Sequence, residues 1–156
     1  MCRGLPIGNL NRALENKEAY TRVFSGATPA DVNYYCVRTL ENEKPDICIL
    51  HVGTNQIGKV DPFAIAADII KVVKTCQSKG VNKVYISGII QRSDYPDQVI
   101  LLNNILRAWQ PLHDFTFIFN ENLDSSCISY DKKHLNRKGK SRLASNFRRA
   151  LNKPWA

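Results

Sequence analysis

The stretch DICILHV at residues 46–52, followed directly by GTN at 53–55, decides the fold of this chain. Its nearly continuous apolar run predicts a strand that is buried on both faces, as the strands of parallel sheets are. Working outward from it, apolar residues at helical spacing predict a helix before the strand at 30–41 and another after it at 62–79. The second helix has Asp61 at its N-cap, with a proline and a glycine marking its two ends.

The rest of the chain continues the same alternation of strands and helices. Further strands are predicted at 20–24, 83–90 and 115–119, and further helices at 5–15, 97–114 and 136–152. Strands that alternate with helices of this length indicate a parallel sheet that is covered on both faces. The sequence therefore predicts an α/β fold, a three-layer α/β/α sandwich, formed by one domain over residues 1–156.

The composition excludes several classes of protein. A hydrophobic fraction of 44% and a charged fraction of 23% are typical of globular domains, and no apolar run approaches the ~20 residues of a membrane-spanning helix. The five cysteines are odd in number and lack CxxC spacing, which indicates neither a disulfide framework nor a zinc site. There is no phosphate-binding glycine motif, so no metal or cofactor is predicted. The unpatterned cysteines, together with a visible N-terminus that has no secretory signal, favour an intracellular location.

The net charge of +8 is concentrated near the C-terminus. The basic residues there are Arg137, Lys138, Lys140, Arg142, Arg148, Arg149 and Lys153. Such a surface can make weak contacts with nucleic-acid phosphates. The favoured interpretation is the solvated face of a terminal amphipathic helix, because the segment has no recognised nucleic-acid-binding motif.

Candidate site residues follow the predicted strands, because ligands bind at the carboxyl ends of strands in open α/β sheets. His134 can act as a general base for acyl transfer, with Asp131 orienting its ring. The side chain of Asn55 and the backbone N–H of Gly26 can donate to an oxyanion. Taken alone, each of these residues also fits an ordinary turn or cap. His51 lies on a predicted buried strand, so we expect it to be a hydrogen-bonded core histidine.

Three segments resemble sequence blocks of the SGNH/GDSL hydrolase superfamily. FSGAT at 24–28, HVGTN at 51–55 and DKKHLN at 131–136 resemble the second, third and fifth blocks, in the family's order. The resemblance covers nearly the whole chain. It implies a flavodoxin-like sheet with strand order 2-1-3-4-5 and hydrolysis of an acyl-ester substrate without a cofactor.

The same resemblance implies a role for each matching residue. Gly26 and Asn55 would be the oxyanion donors, His134 the base and Asp131 its orienting partner. The family's first block, Gly-Asp-Ser, would end the first strand and supply the nucleophile. The chain opens with MCRG, which puts the expected serine immediately before Met1. The domain is therefore expected to be N-terminally truncated, to lack its first strand and to be inactive without the serine.

Two residues are alternatives for the missing nucleophile. Cys2 carries a thiol two positions after the expected serine, and Ser25 adjoins Gly26. A non-catalytic role is favoured for Cys2, because a shift of two residues turns a side chain to another face of a helix. For Ser25, the family gives this position no nucleophilic role.

A narrower resemblance rests on ISGII at 86–90, LNN at 102–104 and HLNRKG at 134–139. These segments resemble the esterase-like domains carried by some non-LTR retrotransposon proteins and related animal proteins. That resemblance implies nucleic acid as a partner for the basic surface. Two alternatives to the hydrolase therefore stay open, namely a catalytically dead scaffold and a nucleic-acid-associated accessory domain.

Overall fold

The structure, a computed structural model, describes residues 27–131 and 134–152. Within these residues, three parallel strands form one sheet in the order β1-β2-β3, and α-helices connect them. The elements are α1 Pro29–Glu43, β1 Ile47–Leu50, α2 Pro62–Ser78, β2 Lys83–Ser87, α3 Pro96–His113, β3 Thr116–Ile118 and α4 Arg137–Leu151. The predicted α/β class and parallel sheet are confirmed. The helix predicted at 5–15 and the strand predicted at 20–24 lie outside the described residues.

The helices cover both faces of the sheet. Val84 and Ile86 of β2 belong to a core that includes apolar side chains of α1, α2 and α3. Tyr85, between them in sequence, packs on the opposite face in a second core with Leu143 and Phe147 of α4. Since side chains alternate between the faces of a strand, this division makes a three-layer α/β/α sandwich.

The helix ends follow from local sequence. Thr28 Oγ1 accepts from the backbone N–H of Asp31 at 3.2 Å, and an Asp31 carboxylate oxygen accepts from the N–H of Thr28 at 3.0 Å. This reciprocal capping box starts α1. Asp61 caps α2 by accepting from the N–H of Phe63 at 2.9 Å, with a proline in the first turn. Gly80 follows that helix with a φ of 90°, a conformation that costs glycine little.

The strands are shorter than their apolar runs predicted. β1 ends at Leu50, the one fully buried residue of this strand, so the prediction of burial on both faces is only partly correct. β2 ends at Ser87, although its apolar run continues to residue 90. The Asn103 side chain explains the difference at β2, because it binds the backbone N–H and C=O of Ile89 at 2.8 and 2.9 Å. A side-chain amide thus takes the place of a strand partner there.

Helix α3 buries only part of its apolar surface. Of the apolar residues at helical spacing in this segment, Ile100 and Leu101 are 59% and 41% exposed, whereas Ile105 and Leu106 are buried. The face that packs against the rest of the fold carries Val99, Leu102, Ile105 and Leu106.

None of the helices in the described part of the chain is long and apolar enough to cross a membrane.

Candidate active site

Asp131 and His134 form a hydrogen-bonded pair. An Asp131 carboxylate oxygen lies 2.6 Å from His134 Nδ1, and the other carboxylate oxygen accepts from the backbone N–H of His134 at 3.1 Å. Because an ionised carboxylate only accepts hydrogen bonds, Nδ1 carries the hydrogen and Nε2 is the basic nitrogen of the neutral ring. The two side chains are 37% and 56% exposed, so the pair is open to solvent.

A short antiparallel bridge fixes the position of His134. Ile128 and Leu135 pair across the loop, and the N–H of Ser129 donates to the carbonyl of His134 at 2.7 Å. Asn136 then caps α4, because its side-chain oxygen accepts from the N–H of Gly139 at 2.9 Å. These contacts hold the histidine at the N-terminal end of α4.

Gly139 permits the close contact between α4 and this loop. A Cβ atom at this position would lie 2.3 Å from the carbonyl oxygen of Cys127, which accepts from the N–H of Asn136 at 2.9 Å. Helix propensity alone would favour alanine over glycine by about 1 kcal/mol. The overpacking that alanine would cause costs about 1–3 kcal/mol. The contact with the backbone of Cys127 therefore makes the net effect of alanine on stability unfavourable.

Because the clash is with a backbone oxygen, its cost should lie in the upper part of that range. We therefore expect Gly139→Ala to lower the free energy of unfolding by about 1–2 kcal/mol, measured by urea denaturation. Ser141→Ala is the matched control, because Ser141 is exposed on the same helix and should change stability by less than about 0.5 kcal/mol. A Gly139→Ala variant as stable as the parent would contradict the close contact.

Asn55 lies in the loop after β1. Gly53 turns the chain with a φ of 112°, and a single 3-10 turn over Thr54–Gln56 follows. Asn55 Nδ2 donates to the carbonyl of Ala27 at 3.0 Å, which ties this loop to the residue after Gly26. Gly26 itself, and with it Ser25 and Cys2, lies outside the described residues.

The topology places these groups at the same end of the sheet, where the strands have their carboxyl ends. β1 and β3 both run parallel to β2, so their carboxyl ends point the same way. Asn55 follows β1, whereas Asp131 and His134 belong to the connection from β3 to α4. The structure brings Asp131 and His134 into direct contact and joins Asn55 to Ala27.

His51 belongs to a separate polar network, and it is hydrogen-bonded as expected, although its residue is only partly buried. Its Nδ1 lies 2.8 Å from Ser87 Oγ, which also accepts from Asn120 Nδ2 at 2.8 Å. The side-chain oxygen of Asn120 in turn accepts from Asn146 Nδ2 of α4 at 2.9 Å. Burial lowers the pKa of His51 to about 4, so this ring is neutral near pH 7.

Arg92 is a further residue at this edge for which the sequence indicated no role. Its guanidinium donates to the Thr54 carbonyl at 2.6 Å and forms a two-pronged ion pair with Asp94. No spacing signal marks such a residue, because the contact depends on how two loops meet.

Among the described residues, no group of three His, Cys, Asp or Glu side chains is arranged to hold a metal ion.

The basic residues of α4 make several local contacts. Lys138 Nζ lies 2.8 Å from Ser126 Oγ, and Arg142 donates to the carbonyl of Asn122 at 2.8 Å. Both contacts hold the loop that precedes the Asp131–His134 pair. The nucleic-acid contact predicted for this surface is untested by them and stays a prediction.

Solved structures resemble this fold closely, whereas the sequence has no such match. No protein-family model and no curated protein matches the chain. TesA superposes with a TM-score of 0.77 at 21% identity, over 96% of this chain and 91% of that one. A lipolytic protein of the G-D-S-L family from Desulfitobacterium hafniense gives 0.78 at 11% identity, over 93% and 87%. A carbohydrate esterase of family 3 from Talaromyces cellulolyticus gives 0.72 at 19% identity, over 83% and 68%.

The chain therefore has the α/β/α fold of the SGNH hydrolases, as its sequence blocks implied. The named esterase and lipolytic protein share this arrangement of helices around a parallel sheet. At identities this low the likeness is one of fold, and the chemistry has to be argued from the residues of this chain.

Proposed function

We propose that this chain belongs to an SGNH/GDSL-type serine ester hydrolase and supplies its base and oxyanion donors. The observation that carries the proposal is the 2.6 Å contact between His134 Nδ1 and Asp131. It leaves Nε2 as the proton acceptor in a loop at the carboxyl edge of a parallel sheet. A histidine oriented in this way is the group that a serine nucleophile needs as its base.

The proposed mechanism has two half-reactions. In the first, His134 Nε2 takes the serine proton while the serine oxygen attacks the ester carbonyl, and the same nitrogen then protonates the leaving alcohol. In the second, His134 activates a water molecule that releases the acid and restores the serine. Asp131 stabilises the imidazolium that forms in both steps. The negative charge that develops on the carbonyl oxygen is stabilised by hydrogen bonds from Asn55 Nδ2 and the backbone N–H of Gly26.

The nucleophile is the part of this proposal that comes only from the resemblance. The family pattern puts the serine immediately before Met1, at the end of a strand. The 156-residue chain by itself is then expected to be inactive. The carbohydrate esterase and the G-D-S-L lipolytic protein that share the fold favour short acyl esters of sugars or lipids as the substrate class.

The test begins with the reading frame upstream of the Met1 codon. We expect an in-frame apolar strand ending in Gly-Asp-Ser, and we call the chain that includes it the extended chain. The extended chain should hydrolyse p-nitrophenyl acetate and become labelled on the new serine by a fluorophosphonate, as read by mass spectrometry. The 156-residue chain, assayed in parallel, should do neither.

Two results would overturn the hydrolase proposal. One is an upstream frame that contains a stop codon or no serine, and the other is an extended chain that folds but neither hydrolyses the ester nor reacts with the probe. A binding scaffold would then be the better explanation. Its nucleic-acid version predicts single-strand binding that weakens steeply with salt and on replacement of Arg148 and Arg149.

A further inference from the structure

The loops that follow β1 and β2 are joined through the side chain of Arg92. Its Nη1 donates to the backbone carbonyl of Thr54 at 2.6 Å and lies 3.4 Å from Thr54 Oγ1. Thr54 is the first residue of the 3-10 turn and immediately precedes Asn55. Arg92 therefore contacts the backbone directly beside the proposed side-chain oxyanion donor.

The turn that presents Asn55 has weak hydrogen bonds of its own. The N–H of Gln56 donates to the Gly53 carbonyl, and the N–H of Ile57 to the Thr54 carbonyl, both at 3.3 Å. These distances exceed the usual 2.7–3.2 Å range, and 3-10 geometry is poorer than α-helical geometry. The shorter bond from Arg92 to the same Thr54 carbonyl is thus the stronger restraint on the turn.

The far end of the same loop is held by the start of α3. The N–H of Gly58 donates to the side-chain oxygen of Gln98 at 3.0 Å. The ring of Tyr95 covers Gly58 so closely that a Cβ atom there would lie 2.4–2.8 Å from three ring carbons. The segment from β2 to α3 therefore contacts the loop after β1 at two points. Arg92 binds it beside Asn55, and the start of α3 binds it at Gly58.

The contribution of Arg92 is geometric rather than electrostatic. Both carboxylate oxygens of Asp94 accept from the guanidinium, each at 2.8 Å, so the pair has no net charge. A neutral pair exerts little field on a developing oxyanion, whereas a two-pronged bond fixes the guanidinium plane and thus the direction of Nη1. The side chain of Arg92 is 27% exposed, which limits the competition of water for this donor.

We infer that Arg92 is a positioning residue that holds the Asn55 amide at the oxyanion of the ester hydrolase; the inference rests on the function proposed above. Arg92 acts through the Thr54 carbonyl and touches no reacting atom. A displacement of about 1 Å in a catalytic group can cost up to about 100-fold in rate. Arg92→Met should therefore lower kcat of the extended chain by about 10-fold with little change in KM, because an oxyanion donor acts in the transition state.

The test combines kinetics with a signal that does not depend on activity. The kinetic variants of the extended chain are Arg92→Met, Arg92→Lys, Asn55→Ala and the Arg92→Met/Asn55→Ala double variant. Lysine keeps a donor for Thr54 but loses the two-pronged bond to Asp94, so it should restore part of the rate. The control is Lys79→Met, which removes a 2.9 Å ion pair with Glu41 at the opposite edge of the sheet.

The second signal is the side-chain amide resonance of Asn55, followed by NMR in the 156-residue chain. Arg92→Met should shift or broaden this resonance, whereas Lys79→Met should leave it unchanged. A role of Arg92 in general stability alone would lower the melting temperature without moving the Asn55 signal selectively. The resonance therefore reports on positioning whether or not the chain is a hydrolase.

The double variant decides how Arg92 acts. If Arg92 works through Asn55, the double variant should be no slower than Asn55→Ala alone, since the effects of coupled residues do not add. The inference would be overturned if the rate losses of the two single variants multiply in the double variant. It would also be overturned if Arg92→Met leaves the Asn55 resonance unmoved. If Asn55→Ala hydrolyses the ester at the parent rate, the proposed function of Asn55 fails instead, and the resonance alone then decides for or against positioning by Arg92.

Discussion

Replacing His134 by alanine in the extended chain should lower kcat/KM for p-nitrophenyl acetate by about 10³-fold. The imidazole is proposed to carry a proton in both half-reactions, and general acid–base catalysis contributes about 10²–10⁴-fold. The residual rate would come from the oxyanion donors and from substrate binding, which survive the loss of a base. The variant should keep its stability, because the His134 side chain is 56% exposed and buries little apolar surface.

Asp131→Asn should also lower the rate but by less than loss of the base, because the amide can still bond to the ring but no longer stabilises the imidazolium. Asp124→Asn is the matched control, as that carboxylate lies in the same loop and accepts from Ser126 at 3.0 Å rather than from the histidine. His113→Ala, on α3, controls for the loss of a histidine elsewhere. Full activity in His134→Ala would remove this residue from the mechanism, whatever the result for Asp131.

The features that could be predicted from sequence are those set by residues close together in the chain. Asp61 with the proline that follows it predicted the start of α2, and Gly80 its end, because caps act over a few residues. The DKKH segment likewise predicted the Asp131–His134 contact, since a spacing of three residues in a loop lets a carboxylate reach both the backbone and the ring. That contact is present at 2.6 Å, whereas the catalytic role of the pair stays a prediction.

The features that could not be predicted depend on residues distant in sequence. The apolar run at 83–90 gave no sign that Asn103 would bind Ile89 and end the strand at Ser87. Arg92 meets Thr54 across 38 positions of sequence, a separation at which spacing carries no signal. Which apolar residues of α3 are buried also depends on tertiary packing, which leaves Ile100 and Leu101 exposed.

His51 gives the second large effect, on stability as a function of pH. Burial lowers its pKa from the ordinary 6.5 to about 4, so the unfolded chain takes up a proton at a higher pH than the folded chain does. Stability should therefore be fully present above pH 6.5 and should fall as the pH is lowered from 6.5 toward 4. At about 1.4 kcal/mol per pKa unit, the loss amounts to at most about 3 kcal/mol.

The hydrogen bonds around His51 also predict that protonation of its ring destabilises the folded chain. Ser87 Oγ already accepts from Asn120, and its own hydrogen can be donated to the unprotonated Nδ1 of His51. Protonation of the ring turns Nδ1 into a donor, so two donors then point at the hydroxyl oxygen and its hydrogen loses this acceptor. An unmade buried hydrogen bond costs about 1–3 kcal/mol, which is comparable to the loss expected from the pKa.

Urea denaturation of the 156-residue chain between pH 4 and pH 8 measures this loss. His51→Gln removes the titrating group but keeps an oxygen that can accept from Ser87, so most of the decline between pH 6.5 and pH 4 should disappear. His113→Gln provides the control for replacing a histidine. If His51→Gln loses as much stability as the parent over this range, other groups cause the acid sensitivity. A flattened profile would instead make His51 the residue that ties the stability of the sheet to pH, through Ser87 and Asn120 to α4.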